Sequence, residues 1–122
     1  MRFTKDHEWV RVGDGGEVTV GISEFAAGEL GDIVYIELPG EGDEVRAGES
    51  MGTIEAVKTV TDLYAPVSGA ISAVNLTLDE NPEQVNSSPY EDGWFVRIRM
   101  SDAPELENLM SHGAYQEMTG KA

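Results

Sequence analysis

Hydrophobic and polar residues alternate in short stretches along this chain, and turn-forming residues separate the stretches. Val18, Val20 and Ile22 occur at every second position, which places them on one face of a strand. Residues 7–12 form a comparable stretch, and the glycine-rich segment 13–16 that follows supports a tight turn. The pattern therefore predicts a β-hairpin with one buried face.

Five further segments are mainly apolar, and several of them contain the β-branched and aromatic residues that are typical of strands. They are residues 32–38, 51–57, 60–65, 70–76 and 94–100. The first of these has a continuous apolar middle, which predicts a strand that is buried on both faces. In the last, Arg97 and Arg99 are expected on the face toward solvent.

Three segments predict helical structure instead, near residues 23–30, 82–86 and 103–112. The first has Ser23 as a cap and Gly31 as a stop. The second is a single helical turn that begins with Asn81 and Pro82. The third carries an apolar stripe that includes Met110 and would end at the next glycine. Many short strands and few helices predict a mainly β fold.

The length and charge of the chain limit its architecture and its partners. Its 122 residues are enough for one modest core, so we expect a single domain over residues 1–122. With 23 acidic and 8 basic residues the formal net charge is −15, which would repel nucleic-acid phosphates and anionic membranes. We expect neither partner, and without an apolar leader or a membrane-length segment we expect an intracellular protein.

The chain contains few of the residue patterns that support catalysis. It has no cysteine, so any thiol chemistry must come from an attached group or from a partner. His7 and His112 are the only histidines, and their positions near opposite ends of the chain give no support for a metal site. No nucleophile-elbow motif and no phosphate-binding glycine loop occurs. These absences argue against an enzyme that acts alone.

Lys58 is the candidate for chemistry that the pattern does provide. It is the only one of three lysines away from the ends of the chain, and it lies between two predicted strands. A lysine at a turn is usually a solvated charge, and that interpretation stays open. However, Val57 and Val60 are unusual neighbours for a turn, and apolar side chains at an exposed tip indicate a recognised surface. The primary amine of Lys58 would become useful if another enzyme acylated it.

Motifs along nearly the whole chain resemble those of the H proteins of the glycine cleavage system. The motif around Lys58 is flanked by Gly52-Thr53-Ile54-Glu55 and by Asp62-Leu63-Tyr64-Ala65-Pro66-Val67-Ser68-Gly69. Further matches, in the same order as in that family, are His7-Glu8-Trp9-Val10, Gly21-Ile22-Ser23-Glu24-Phe25-Ala26, Leu30-Gly31-Asp32-Ile33-Val34-Tyr35-Ile36-Glu37-Leu38-Pro39, Asn86-Ser87-Ser88-Pro89-Tyr90 and Gly93-Trp94. Ala56 and Thr59 are small departures from the family pattern.

The resemblance implies a lipoyl-domain-like β-sandwich, or barrel-sandwich hybrid, with lipoic acid in amide linkage to Lys58. Such a protein is a non-catalytic carrier, expected as a monomer in the cytoplasm, or in the mitochondrial matrix if it is a processed eukaryotic chain. It would take the aminomethyl group of glycine from a pyridoxal-phosphate glycine decarboxylase, the P protein. It would pass that group to a tetrahydrofolate-dependent aminomethyltransferase, the T protein, and be reoxidised by dihydrolipoyl dehydrogenase, the L protein. A lipoate ligase or an octanoyl/lipoyl transferase would attach the lipoyl group.

The resemblance also assigns Glu8 and Asp62 to a cleft in which the loaded arm rests. Acidic residues there would hold the positively charged amine of the cargo by charge-assisted hydrogen bonds. Two alternatives to a lipoyl carrier stay open. A biotin carrier uses a similar hairpin lysine but usually flanks it with methionines, whereas the neighbours here are Val57 and Thr59. An unmodified β-sandwich interaction module would use Lys58 only as a surface charge.

Overall fold

A computed structural model describes residues 1–120 and contains two antiparallel β-sheets with a few short helices. The strands are β1 Arg2–Phe3, β2 Glu8–Val12, β3 Glu17–Ile22, β4 Ile33–Glu37, β5 Glu44–Val45, β6 Ser50–Ala56, β7 Val60–Tyr64, β8 Gly69–Val74, β9 Val96–Met100 and β10 Met110–Ser111. The α-helices are α1 Glu24–Leu30, α2 Gln84–Ser87 and α3 His112–Thr119, and 3-10 turns cover Leu76–Asp79 and Ala103–Asn108.

The larger sheet has seven strands in the order β10-β1-β2-β3-β9-β8-β5, and the smaller sheet has the order β4-β6-β7. Each of two hairpins that the sequence pattern predicts contains the central strand of one sheet, β3 in the larger and β6 in the smaller. In the larger sheet β2 pairs with β3, with Val10 opposite Val20. In the smaller sheet β6 pairs with β7, with Ile54 opposite Thr61. The β2–β3 hairpin therefore has the register that its alternation of apolar residues requires, whereas the β6–β7 hairpin shifts register between Ser50 and Gly52.

Apolar residues of both sheets belong to a single core cluster, which confirms the expected β-sandwich. Val18, Val20 and Ile22 are buried as their alternation predicts. Ile54 and Leu63 of the smaller sheet belong to the same cluster. Burial of side chains of this size stabilises the fold by roughly 1.5–3 kcal/mol each before the entropy cost of ordering them. Within residues 1–120, no helix is both long enough and apolar enough to span a bilayer.

Helix α1 begins and ends at the residues that the sequence pattern predicts. The Ser23 hydroxyl oxygen accepts a hydrogen bond from the Ala26 N–H at 3.1 Å, which satisfies one of the free donors of the first turn. At the other end Gly31 has φ 76°, and its N–H donates to the Ala27 carbonyl at 3.1 Å. A positive φ is readily adopted by glycine, so the chain can leave the helix there without strain.

Helix α2 starts two residues later than the predicted turn near 82–86, and it places Asn86 against the segment that follows α1. The Asn86 side chain accepts a hydrogen bond from the Ile33 N–H at 3.0 Å and donates one to the Gly31 carbonyl at 2.8 Å. A single side chain therefore satisfies two backbone groups between α1 and β4.

We expect Asn86→Ala to lower the free energy of unfolding by roughly 1–3 kcal/mol, because it leaves two backbone groups without partners. Urea unfolding followed by circular dichroism measures this loss. Ser87→Ala on the same helix is the matched control and should cost roughly 0.5 kcal/mol or less. Equal losses in the two variants would contradict the bracing role of Asn86.

The predicted C-terminal helix near 103–112 is confirmed only over its first part, and as a 3-10 helix, while its end at 112 is wrong. Residues Ala103–Asn108 form a 3-10 turn, Met110–Ser111 form strand β10, and the helix α3 runs over His112–Thr119. Two long-range contacts explain the difference. Met110 pairs with Phe3 at the edge of the larger sheet, and the Glu105 carboxylate accepts hydrogen bonds from the Ser68 N–H at 2.6 Å and hydroxyl at 2.9 Å. Neither contact has a local signal in the sequence.

The predicted two-sided burial of the strand near 32–38 is also wrong. Val34 and Tyr35 of β4 are 49% and 50% exposed, although Ile33 and Ile36 are buried. Strand β4 lies at the edge of the three-stranded sheet, and its pairing with β6 shifts register between Ile33 and Tyr35. The irregularity puts two consecutive apolar side chains at the surface.

Candidate functional site

Lys58 lies at the tip of the β6–β7 hairpin, where the sequence pattern places it. The tip is closed by a hydrogen bond from the Ala56 N–H to the Thr59 carbonyl at 2.8 Å. It is tied to the start of β4 by a second bond, from the Val57 N–H to the Asp32 carbonyl at 3.0 Å. The Lys58 side chain is exposed, so its amine is accessible to a modifying enzyme.

Apolar side chains flank the lysine on both sides of the tip. Val57 is 71% exposed and Val60 is 62% exposed. Their exposure is unfavourable for an isolated surface turn, since each leaves apolar area in water. The arrangement agrees with the recognised surface that the sequence predicts, and it places that surface directly beside the amine.

A cleft of about 410 Å³ lies along the same hairpin. Ile54 of β6 and Thr61, Asp62 and Tyr64 of β7 form one wall. The rest of the lining comes from the segment between β1 and β2, the first residue of β2, the last residue of β3 and helix α1, which contribute both apolar and charged side chains. These are Lys5, Asp6, His7, Glu8, Ile22, Phe25, Ala26, Glu29 and Leu30. The fold therefore brings Glu8 and Asp62 into one cleft, although they are far apart in sequence.

Glu8 is the buried acid of the cleft, with 2% of its surface exposed. Its carboxyl accepts a hydrogen bond from the Thr4 hydroxyl at 2.6 Å and another from the Tyr64 N–H at 3.3 Å. Burial raises the pKa of Glu8 to about 7, and the nearby Asp6 charge adds to the rise, while the two hydrogen bonds oppose it. Glu8 can therefore change between its neutral and its ionised form near neutral pH, whereas a surface glutamate is already ionised there.

Asp62 differs from Glu8 because its side chain is exposed at the side of the cleft. The Tyr64 hydroxyl donates a long hydrogen bond of 3.5 Å to the Asp62 carboxylate. The charge of Asp62 is the main cause of a raised pKa of the Tyr64 phenol. A positive group entering the cleft would thus meet a solvated carboxylate and a buried one.

Three further residues of the site were missed by the sequence prediction. Asp6 lines the cleft and acts on the pKa of Glu8, and its place two residues before Glu8 is a weak signal that could have been used. Thr4 and Tyr64 hold the Glu8 carboxyl directly. The bond to Tyr64 joins two sheets, so no spacing within the sequence could have shown it.

The lining of the cleft and its closeness to Lys58 along the hairpin suit an alkyl arm attached to that lysine. Thr61, in the cleft wall, follows Lys58 by three residues, a span of at most about 11 Å along the chain. A lysine side chain extended by an octanoyl-length acyl chain can cover that span. Ile22, Ala26 and Ile54 offer apolar contacts to such a chain, and the acidic groups offer partners to a cation at its end.

The fold and the site define a small β-sandwich domain that presents an accessible lysine on a hairpin beside an acidic cleft. The family model for the glycine cleavage H-protein matches residues 1–122. The chain belongs to this family.

Individual relatives agree with the family assignment over nearly the full length of the chain. A glycine cleavage system H protein from Staphylococcus saprophyticus subsp. saprophyticus is 51% identical over 121 residues, which are 99% of this chain and 95% of that protein. One from Bacillus velezensis is 52% identical over 119 residues, which are 98% of this chain and 93% of the relative. The crystal structure of a glycine cleavage system H protein from Mycobacterium marinum superposes with a TM-score of 0.89 at 37% identity, covering 97% and 94% of the two chains.

Proposed function

We propose that the chain carries a lipoyl group in amide linkage on Lys58 and shuttles the aminomethyl group of glycine. The observation that carries this proposal is the continuity of one hairpin. Its tip presents the exposed Lys58, and its second strand lines a cleft that also contains the buried Glu8. Membership of the glycine cleavage H-protein family supports the same role.

The residues of the chain bind and orient the arm, and they do not break or form bonds themselves. When bound, the lipoyl dithiolane supplies the redox-active sulfur that a chain without cysteine lacks. Glu8 and Asp62 hold the protonated amine of the cargo by charge-assisted hydrogen bonds. A cation close to Glu8 favours its ionised form, so the carboxyl whose pKa lies near 7 releases its proton when the loaded arm enters.

The partners follow from the proposed role. Glycine decarboxylase would load the aminomethyl group, aminomethyltransferase would remove it, and dihydrolipoyl dehydrogenase would restore the oxidised state. A lipoate ligase or an octanoyl/lipoyl transferase would modify Lys58. A monomer suits a carrier that must present the same hairpin to several different active sites. The formal net charge of −15 would draw the carrier to basic surfaces of these enzymes, in a way that salt weakens.

The direct test is the intact mass of the protein after incubation with lipoate, ATP and a lipoate ligase. We expect a gain of one lipoyl group per chain, followed by glycine-dependent NADH formation when the three partner enzymes, tetrahydrofolate and NAD are added. Incubation with biotin and a biotin ligase tests the biotin-carrier alternative. No mass gain in either reaction, with control domains fully modified, would favour the unmodified interaction module.

We expect Val57→Asp to slow the ligase-catalysed lipoylation of Lys58 by about tenfold, because a charge replaces an apolar contact beside the amine. The initial rate of mass gain measures the effect. Val12→Asp is the matched control, since Val12 is 56% exposed and lies in the other sheet. A similar slowing in both variants would assign the effect to net charge and not to the Val57 surface.

A further inference from the structure

The residue before Glu8 has an unusual backbone conformation. Among residues 1–120, His7 is the only non-glycine residue with a positive φ, at 71°. Side chains make this left-handed region unfavourable for most residues, so surrounding contacts must hold it. Two backbone hydrogen bonds do so: the His7 N–H donates to the Thr4 carbonyl at 3.1 Å, and the His7 carbonyl accepts from the Ser23 N–H at 2.8 Å. The direction of the Glu8 side chain depends on this turn.

The His7 ring is held by the C-terminal helix. Its Nδ1 lies 2.8 Å from the hydroxyl of Tyr115, which is on α3 and 5% exposed. The Tyr115 ring stacks on Phe3 with centroids 4.3 Å apart and an interplanar angle of 5°, so its position is fixed independently of the hydroxyl. The His7 ring also contacts Phe25 of α1, with centroids 5.0 Å apart. Tyr115, 108 residues further along the chain, thus contacts a residue that lines the cleft.

The hydrogens of this cluster can be assigned from its hydrogen bonds. The Ser23 hydroxyl oxygen accepts from the Ala26 N–H at 3.1 Å and lies 2.6 Å from the Tyr115 hydroxyl. Because Ser23 is fully buried, its hydrogen needs an acceptor, and the phenolic oxygen is in place to accept it. The Tyr115 hydrogen is then directed to His7 Nδ1, which leaves the ring proton on Nε2.

We propose that Tyr115 is a positioning residue of the arm cleft: its hydroxyl connects Ser23 to His7, selects the Nε2–H tautomer and thereby fixes the turn that aims Glu8. The proposal rests on the proposed function only in so far as the cleft receives the loaded arm. The C-terminal helix α3 is then a support of the cleft, in addition to packing Tyr115 against Phe3 and Trp9.

The test compares the wild-type protein with Tyr115→Phe, which keeps the ring stacked on Phe3 and removes only the hydroxyl. In the unmodified wild-type protein, nitrogen-15 NMR of the His7 ring should show Nε2 protonated and Nδ1 free. In the variant the Nδ1 resonance should shift, because this nitrogen loses the hydrogen bond from the Tyr115 hydroxyl. A carbon-13 titration should also show the pKa of Glu8 move down from about 7 toward its ordinary range, because a loosened turn admits water.

A third measurement uses lipoylated protein that has been reduced and loaded with formaldehyde and ammonium, in which thiol, aldehyde and ammonia condense to the aminomethyl thioether and water. Loss of the aminomethyl mass should be about three- to tenfold faster in Tyr115→Phe, the effect of one weakened hydrogen-bond network. Tyr35→Phe removes a half-exposed hydroxyl from strand β4 and should leave all three measurements unchanged.

Several outcomes would overturn the inference. A wild-type His7 ring with its proton on Nδ1 contradicts the assigned directions of the hydrogen bonds from Ser23 to Tyr115 and from Tyr115 to His7. This measurement needs no variant, so it does not depend on the folding of Tyr115→Phe. An unchanged Nδ1 resonance together with an unchanged Glu8 titration in the variant also contradicts it. If a lipoate ligase does not modify the wild-type protein, the proposed function is contradicted instead. The two NMR measurements would still decide the role of Tyr115.

Discussion

Lys58→Arg is expected to abolish lipoylation completely and, with it, all glycine-dependent NADH formation in the reconstituted system. Arginine preserves the positive charge and much of the length at the exposed tip, but its guanidinium stays protonated and offers no amine that an acyl group can modify. The free energy of unfolding should change by roughly 0.5 kcal/mol or less, since the side chain is exposed. Intact mass and the coupled NADH assay measure the two effects.

Lys5→Arg is the matched control for this variant. Lys5 is also exposed and lies in the cleft lining, so the same substitution there tests whether any lysine near the cleft can accept the group. The control should be lipoylated to the same extent as the wild-type protein. A lipoyl group on the Lys58→Arg variant would show that the group is attached to another residue, and it would contradict the proposed attachment at the hairpin tip.

Glu8→Gln is expected to change how stability depends on pH. Burial raises the pKa of Glu8 from 4.5 to about 7 in the folded protein, so the folded state holds a proton that the unfolded state has already released. The protonated Glu8 therefore contributes its full share of the folding stability below about pH 4.5. This contribution is lost as the pH rises through about 7. The shift corresponds to roughly 3 kcal/mol at high pH. Glutamine is neutral throughout and removes this loss.

Urea unfolding of both proteins at about pH 5 and about pH 8.5 measures the effect as a difference of differences. From pH 5 to pH 8.5 the wild-type protein should lose roughly 2–3 kcal/mol more than Glu8→Gln. Asp62→Asn in the same cleft is the control, and it should keep the pH-dependent loss because Glu8 is unchanged in it. Parallel profiles for wild type and Glu8→Gln would mean that Glu8 is already ionised in the folded protein.

The same variant tests the binding of the loaded arm. Glu8→Gln should still be lipoylated at Lys58, since the tip of the hairpin is unchanged. It should lose the aminomethyl group about tenfold faster or more, because one charge-assisted hydrogen bond to the amine is missing. Together with the pH profile, this result would separate the electrostatic cost of burying Glu8 from the part that Glu8 plays in retaining the aminomethyl group.

Local patterns were sufficient to predict most strands and the position of Lys58 at a hairpin turn. Alternation of apolar residues is a local property with a period of two, and it identified both central hairpins and the buried faces of β3. The cap at Ser23 and the stop at Gly31 are also local signals, and both ends of α1 follow them. The family motifs then linked the hairpin lysine to a lipoyl group and named Glu8 and Asp62.

The errors arose where a distant contact replaced a local preference. The segment around Met110 has a helical stripe, but pairing with Phe3 at the edge of a sheet makes it a strand, and the helix begins only after it. Tyr115 lies in that helix, and no local pattern connects it with His7. Local propensities amount to less than about 1 kcal/mol per residue, so a few tertiary contacts outweigh them.

The sequence by itself determined the mainly β class, the two central hairpins and the single lysine presented between apolar neighbours at a turn, because each depends on residues adjacent in the chain. Only the tertiary structure decided that Glu8 is buried, that Tyr64 donates to its carboxyl and that Asp62 lies in the same cleft. Burial and cross-sheet hydrogen bonds depend on what the rest of the chain places around a residue. The raised pKa of Glu8 is a consequence of that environment, which no local pattern contains.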